Sequence, residues 1–168
     1  APALFDMPGL DEPATGQVLS LPDAGEPSVN QIYLIRGRTP APGRRDEAVV
    51  LQSFADAHAL DIGDTVPVTI YGGREQLQVV GIALSPEHVY AIAPGQLVPD
   101  DRLFGVLWMG REALAQSVNQ DGAFNEAVVR LAPNVDEAGV IDALDTLLEP
   151  YGAPGAYGRD EHISDAFV

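Results

Sequence analysis

The chain has 168 residues, of which 46% are hydrophobic and 20% charged, a balance typical of a globular domain and not of a disordered segment. Its 25 acidic residues outweigh nine basic ones, all arginine, so the net charge is −16 and nucleic-acid phosphates or anionic lipid headgroups would repel it. The absence of cysteine excludes disulfides, thiolate zinc sites and cysteine nucleophiles.

The N-terminal third is predicted to be mostly loop with short strands. Residues 1–28 are rich in proline, glycine and acids, and one apolar run at residues 18–21 predicts a single strand there. The β-branched and aromatic residues of segment 30–38 predict a second strand, which ends at "TPAPG" because proline cannot continue a ladder. The segment "DEAVVLQ" predicts a third, short strand.

The segment "SFADAHAL" predicts a short helix. Ser53 is expected to be its N-cap, with Asp56 three residues later in a near capping-box arrangement. Gly63 is expected to close the helix, because glycine readily takes the left-handed conformation found after helix C-termini.

Residues 64–84, "DTVPVTIYGGREQLQVVGIAL", predict a β-hairpin. Apolar side chains alternate with other residues from Val66 onward, and the alternation resumes at Leu77. Gly72 and Gly73 are expected to supply the positive φ angles that a two-residue primed turn requires.

From residue 102 onward, two strands, two helices and the start of a third helix are predicted. "RLFGVLWMG" predicts a buried strand with Phe104, Val106 and Trp108 on one core-facing side, and "REALAQSV" predicts a two-turn helix. "FNEAVVRLAP" (residues 124–133) has the alternation of a further strand. "DEAGVIDALDTLLEPYG" predicts the longest helix, with acids at its positive end and an apolar stripe. Residues 159–168 are read as the start of another helix.

These elements predict a mixed α/β fold of the α+β type, with mixed sheets, β-hairpins, a few short helices and two small lobes in one domain, residues 1–168. No apolar run approaches the roughly twenty residues of a membrane-spanning helix. The start "APALFDMPGL" lacks signal-peptide features. From the abrupt ends we expect an excised part of a longer protein, truncated at its N-terminus.

Paired carboxylates in different environments would indicate acid–base chemistry. The sequence holds three acidic doublets: Asp46–Glu47, Asp100–Asp101 and Asp160–Glu161. Adjacent residues on an extended chain point to opposite faces, so no doublet forms a catalytic dyad by itself. We expect solvated or capping roles for these acids, and an acid-based hydrolase ranks last among the functions considered.

Other signatures of catalysis or cofactor binding are missing from the sequence. His58, His88 and His162 lie far apart, without metal-ligand spacing. Ser85 precedes Pro86, which has no backbone N–H for an oxyanion hole. Neither a P-loop nor a dinucleotide-binding glycine pattern occurs. The sequence therefore predicts no catalytic residue, no metal ligand and no cofactor, and we expect a chain that is not an enzyme.

The order of several segments resembles that of a known family. From "LSLP" onward the chain carries, in order, "GR-TP-PG-DEAVV", "FADAHALDIGDTVPV", "LQVVGIALSPEHVYAI", "PDDRLFGVLWMGREALA", "GAFNEAVVRLAP" and "YGAPGAYGRDEHISDAF". This ordered set resembles the MacB-like periplasmic core domain of FtsX-type ABC transporter permeases, in particular a branch of large permeases with "SPE-VY" and "FGVLWM". The individual elements are weak signals, whereas their order is specific.

The resemblance implies a domain on the periplasmic side of the bacterial cytoplasmic membrane, between the first two membrane helices of a permease. There it would couple ATP hydrolysis by a separate cytoplasmic ATPase to the handling of substrates or partners, such as adaptor proteins or lipoproteins. It implies no nucleotide site in this chain. The family's stretch after its first membrane helix is not evident, so one lobe is expected to be incomplete.

The segment "SPEHVY" is interpreted first as architecture. Pro86 cannot donate a ladder hydrogen bond and restricts Ser85 to an extended conformation, so the chain is expected to turn there. As a secondary role we expect an acidic and aromatic partner-contact loop formed by Glu87, His88 and Tyr90. The alternative function is a freestanding secreted module that binds a ligand or peptide between its lobes.

Overall fold

The computed structural model describes residues 1–89, 91, 98–119 and 122–158. Within them lie seven β-strands in a mixed sheet and three short α-helices, which confirms the predicted α+β fold class. The chain divides into two compact units, Ala1–Glu126 and Ala127–Val168. The assignment of residues 1–168 to one core domain with two lobes stays a prediction.

The first unit holds every strand that the described residues form, together with two of the helices. Its elements are β1 (Pro2–Phe5), β2 (Ala14–Leu21), β3 (Tyr33–Gly37), β4 (Glu47–Leu51), α1 (Gln52–Ala57), β5 (Thr65–Ile70), β6 (Gly73–Leu84), β7 (Phe104–Gly110) and α2 (Arg111–Ser117). The second unit holds α3 (Glu137–Leu148), followed by a 3₁₀ turn, Glu149–Tyr151.

The strands of the first unit close into a small barrel. Their order is β3-β6-β4-β7-β2-β1-β5, and β5 pairs again with β6. Six strands therefore form a closed circuit, and β3 lies outside it, against β6. The pairs β4–β6 and β2–β7 are parallel, and the other pairs are antiparallel.

Two apolar clusters cover opposite faces of the central strands β4 and β7, which are buried along their whole length. All six strands of the circuit contribute to the first cluster, which therefore fills the barrel and includes Val50. Val49, one residue earlier, points the other way into the second cluster. Phe104, Val106 and Trp108 also belong to the second cluster, so the predicted core-facing side of β7 is confirmed.

The predicted hairpin is confirmed as β5 and β6, but its turn lies one residue earlier than expected. Ile70 pairs with Gly73, so the two turn residues are Tyr71 and Gly72. Both have positive φ angles, 48° and 82°. The prediction that Gly72 and Gly73 form the turn is wrong, because strand pairing places Gly73 in the ladder and leaves Tyr71 in the left-handed region.

We predict that Tyr71→Asn stabilises the protein by about 0.5–1 kcal/mol, because asparagine tolerates the left-handed conformation better than tyrosine and Asn-Gly favours this turn. The tyrosine is 61% exposed, so little buried area is lost. The midpoint of urea unfolding measures the effect. Gly72→Ala is the control and should destabilise through its φ angle alone, since no atom lies within 4 Å of the added carbon. A lower midpoint for Tyr71→Asn would contradict the turn assignment.

Helix α1 starts earlier than predicted. It begins at Gln52 directly after β4, with Leu51 at the N-cap position and no side-chain cap. Ser53 lies inside the first turn, so the predicted Ser53 cap and its near capping box with Asp56 are wrong. The strand runs into the helix without a loop, which leaves no place for a separate capping residue.

The end of α1 also differs from the prediction. Ala59 takes the left-handed conformation, with φ of 53°. Its N–H donates to the Asp56 carbonyl at 3.3 Å, and the Leu60 N–H donates to the Ala55 carbonyl at 2.9 Å. These two bonds form a Schellman motif, so Ala59 closes the helix and Gly63 does not.

Two further strand predictions differ from the structure. Strand β1 is missing from the prediction, and β2 extends over Ala14–Leu21 where only residues 18–21 were expected. Residues 124–133 form no strand, contrary to the prediction: residues 122–130 are all exposed, and no ladder partner lies beside them in the described chain. An alternating pattern makes a strand only where another strand can pair with it.

The predicted helices α2 and α3 are confirmed, and α3 is the longest. The 3₁₀ turn that follows α3 is capped by Gly152, which has φ of 72°. The helix predicted at residues 159–168 lies outside the described residues.

Candidate functional site

The segment that follows β6 is a turn, as predicted. The His88 N–H donates to the Ser85 carbonyl at 3.2 Å, and the Glu87 N–H donates to the Ser85 hydroxyl at 3.3 Å. Ser85 itself is only 5% exposed. The serine therefore holds the turn together.

Two of the three predicted contact residues face other parts of the first unit. The Glu87 carboxylate accepts a hydrogen bond from the side-chain amide of Asn30, and the His88 ring centroid lies 6.1 Å from that of Trp108. Both side chains are half-buried. Tyr90 lies outside the described residues. These contacts attach the loop to the barrel, and its role as a partner-contact surface stays a prediction.

The two side chains of the doublet Asp46–Glu47 point in opposite directions, as expected for adjacent residues on an extended chain. Asp46 has 54% of its side chain exposed, whereas the Glu47 side chain has 3% exposed. Asp100 is half-buried, and its carboxylate accepts the Arg102 N–H at 3.0 Å within the turn that precedes β7. The solvated or capping role expected for Glu47 is wrong, because this carboxylate is buried in an ion pair. The doublet at residues 160–161 lies outside the described residues.

Among the residues that the structure describes, Glu47 is the one charged residue that is buried. Arg38 donates two hydrogen bonds to it, Nη1 to Oε2 at 2.6 Å and Nη2 to Oε1 at 2.8 Å. The Ala41 N–H donates a third at 2.9 Å, and the Arg44 Nε lies 3.7 Å away. The Arg38 hydrogen bonds are the main reason that the pKa of Glu47 is lowered, although burial opposes the shift.

Two glycines allow Arg38 to reach this position. Gly37 has φ of 80°, and a Cβ there would lie 2.2 Å from the Val80 carbonyl oxygen. A Cβ on Gly81 would lie 2.5 Å from the Arg38 carbonyl oxygen. The register of β6 shifts here against both β3 and β4, a β-bulge arrangement that brings Arg38 over the start of β4. Sequence reasoning missed the pair; its signals are the "GR" at the end of β3 and the acid that opens "EAVVL".

The described histidines serve packing and hydrogen bonding. The His58 ring lies 4.5 Å from the Phe54 ring, and its Nε2 is 2.9 Å from the Arg102 carbonyl oxygen. Within the described ranges, no three His, Asp or Glu side chains come close enough to hold a metal ion. His162 lies outside those ranges.

Two depressions in the described part of the chain are open to solvent. One, in the first unit, has a volume of about 320 Å³ and is lined by Arg45, Asp46, Glu75, Gln76, Gln116 and Ser117. The other, of about 370 Å³, lies in the second unit and is lined by Asp145, Thr146, Glu149, Ala153, Pro154 and Gly155. Ligand sites are usually enclosed and mainly apolar, with a few convergent polar groups. Every buried side-chain N or O atom in the described part of the chain has a hydrogen-bond partner, so none is left to point at a ligand.

Comparison with known proteins adds little. No family model matches the chain, and no curated protein matches it. Among solved structures, a domain of a protein assigned as a permease, from Porphyromonas gingivalis, is similar with a TM-score of 0.42 and 13% identity. The match covers 97% of this chain and 68% of the other. None of the described helices is long and apolar enough to cross a membrane. At this TM-score and identity, the neighbour supports no statement about the function of the present chain.

Proposed function

We propose that this chain is a non-catalytic extracytoplasmic domain of an ABC transporter permease of the FtsX type. The observation that carries the proposal is the ordered series of segments, from "GR-TP-PG-DEAVV" to "YGAPGAYGRDEHISDAF", that resembles the MacB-like periplasmic core domain. In this role the chain couples ATP hydrolysis on the cytoplasmic side to the handling of a substrate or partner outside the membrane.

The packing of the first unit suits such a coupling role. The barrel interior is filled by side chains from all six strands, and the buried strands β4 and β7 carry apolar clusters on both faces. A close-packed core of this kind resists deformation, so the unit moves as a rigid body when a connected element moves. The ATPase acts through the remaining permease, and the outer partner is a periplasmic adaptor or lipoprotein.

The parent open reading frame distinguishes this proposal from the alternative. Apolar stretches of about twenty residues on both sides of this chain, with further spans downstream, would support a permease domain. A cleavable signal and a stop codon near Val168 would contradict it and would favour a secreted ligand- or peptide-binding module.

A labelling experiment tests the location directly, because the chain has no cysteine of its own. We expect Gln78→Cys in the parent protein, at an exposed position of β6, to react with a membrane-impermeant maleimide in intact spheroplasts. Ala48→Cys is the matched control and should stay unlabelled until the protein is denatured, since Ala48 is fully buried. Labelling of Gln78→Cys only after lysis would contradict the extracytoplasmic location.

A further inference from the structure

Strand β3 and the connection that precedes it hold no buried residue. All residues from 22 to 38 are exposed or half-buried, and this includes the whole of β3. Each other strand of the described chain has at least two buried residues. The six-stranded circuit closes without β3, and β3 contributes no residue to the cluster that fills it. The barrel core therefore does not depend on this stretch.

The backbone pairing that holds β3 is limited and irregular. Four residue pairs join β3 to β6, and their register shifts between Leu34 and Arg36. Arg36 is also paired with Asp61 at 2.9 Å, but these two side chains are 48% and 65% exposed. Ion pairs so accessible to water contribute little to stability. The ladder to β6 is therefore the main attachment of the strand itself.

The side chains of the stretch add little buried area to this attachment. Ile32 and Leu34 pack against the second apolar cluster, and both are only half-buried. The Asn30 side chain donates a hydrogen bond to the Glu87 carboxylate. Regions with few buried apolar contacts and accessible backbone hydrogen bonds open at a lower free energy than the core.

Both ends of the stretch, in contrast, are anchored. The Asp23 carboxylate accepts the N–H of Glu112, in the first turn of α2, at 3.2 Å. At the other end, Arg38 donates two hydrogen bonds to the buried Glu47 carboxylate. Gly37 directly precedes this anchor, with φ of 80°. A glycine has no side chain to restrict its rotation, so it is suited to act as a hinge.

We propose that residues 24–37, called here the strap, form a conformational device that opens as a unit between the anchors at Asp23 and Arg38 while the six-stranded barrel stays closed. Opening removes the ladder partner of β6 over residues 81–84 and uncovers the part of the second apolar cluster beneath the strap. An unpaired strand edge is a surface to which an extended segment can add. The strap therefore controls access to that edge of β6.

Amide hydrogen exchange of the whole chain, followed by NMR, measures the opening. We expect the amides that donate across the β3–β6 ladder to be at least about 100-fold less protected than those of the β4–β7 and β2–β7 ladders, because only the latter require unfolding of the barrel. Equal protection of the three ladders would show that the strap opens only when the barrel unfolds and would overturn the proposal.

Two engineered disulfides separate strap opening from barrel unfolding, since the chain has no cysteine of its own. Tyr33→Cys with Leu84→Cys joins exposed, directly opposite residues of β3 and β6. This bridge should slow exchange in the β3–β6 ladder at least about tenfold. The matched control, Thr65→Cys with Gln78→Cys, joins exposed, opposite residues of β5 and β6 within the circuit. It should slow exchange in β4 and leave the β3–β6 ladder within about twofold of the unbridged chain.

Either bridge can contradict the proposal. If the control bridge slows the β3–β6 ladder as much as the strap bridge does, the strap opens only with the barrel. If the strap bridge leaves that ladder unchanged, its exchange does not arise from strap opening, because a strap bound covalently to β6 cannot leave it. Reduction of each bridge should return the exchange rates to those of the unbridged chain.

A core variant provides a test that needs no bridge. Val50 is fully buried inside the barrel, so Val50→Ala should destabilise the barrel and speed exchange in β4 and β7. Exchange in the β3–β6 ladder should stay within about twofold of the wild type, because the barrel remains closed when the strap opens. Equal acceleration of all ladders would contradict the proposal. None of these measurements depends on where the chain is located, so this inference and the proposed function fail separately.

Discussion

Replacing Gly16 with alanine is expected to lower the free energy of unfolding by about 3 kcal/mol or more, enough to threaten folding of the barrel. Gly16 pairs with Gly105 where β2 runs beside β7. A Cβ on Gly16 would lie 2.0 Å from the Gly105 carbonyl oxygen and 2.6 Å from a ring carbon of Phe5. The ring can rotate, but the carbonyl oxygen belongs to the ladder, so the strands must separate to admit a methyl group.

Two other strand glycines provide graded controls. A Cβ on Gly105 would lie 3.0 Å from ring atoms of Phe5 and Phe54, which can shift, so Gly105→Ala should cost less than Gly16→Ala. A Cβ on Gly73 would lie 3.4 Å from the Ile70 carbonyl oxygen, which is ordinary contact, so Gly73→Ala should be close to neutral. The midpoints of urea unfolding of the three variants give the order of their destabilisation. An unchanged midpoint for Gly16→Ala would show that β2 and β7 do not approach as described.

The second large effect concerns the buried ion pair. Glu47→Gln is expected to lower the free energy of unfolding at pH 7 by about 1.5–3 kcal/mol, because hydrogen bonds to a charged group are lost at a site with 3% exposure. Arg38→Met should destabilise more, since it leaves the carboxylate buried without its two main donors. Asp46→Asn is the control. Its side chain is 54% exposed and paired with Arg44, so its loss should cost less than about 1 kcal/mol.

The same pair predicts an acid-dependent loss of stability. The pKa of Glu47 is lower in the folded protein than its ordinary value of 4.5, so in this range the unfolded chain binds the proton more readily. The contribution of the pair to stability is therefore complete above about pH 4.5 and is lost as the pH falls through the lower folded pKa. Urea unfolding measured between pH 7 and pH 3 should show that the free energy of unfolding falls less with decreasing pH for Glu47→Gln than for the wild type. Identical pH profiles would contradict this account.

Sequence patterns predicted the parts of the fold that have a local signal. The period-two alternation in β5 and β6 and the continuous apolar run of β7 were sufficient to place those strands. Strand β1 has only four residues and begins at Pro2, and its ladder is supplied by β2 and β5. Such a strand depends on distant partners, which a local pattern cannot reveal.

The hairpin turn illustrates a conflict between residue preference and register. Glycine is the residue that best tolerates positive φ, so "GG" indicates the turn from sequence alone. Register is set by the buried side chains, and the pair Val66–Leu77 places Tyr71 in the turn. The cost of a tyrosine in the left-handed region is smaller than the cost of moving the apolar side chains to the outer face.

The buried ion pair could not be predicted from the acidic doublet that contains it. Nothing in the sequence distinguishes Asp46 from Glu47, since both are acids at the start of the same strand segment. Their different burial follows from the direction in which β4 enters the barrel. Arg38 reaches Glu47 because of the bulge around Gly37 and Gly81, which depends on two strand pairings at once. The apolar stripe of α3, by contrast, was visible in the sequence, and the structure adds that no side chain of this helix is buried.

The pairing of β2 with β7 also determines when the barrel can form during synthesis. Residues Thr15 and Leu103, which are hydrogen-bonded at the base of this pair, lie 88 positions apart in the chain. Closing so long a loop is slow, and strands whose partners are distant in sequence fold late. Because synthesis proceeds from the N-terminus, β2 leaves the ribosome before β7. Until β7 follows, the edge of β2 that pairs with it is exposed to water and to other chains. The refolding rate of the isolated chain is therefore expected to be low for its size.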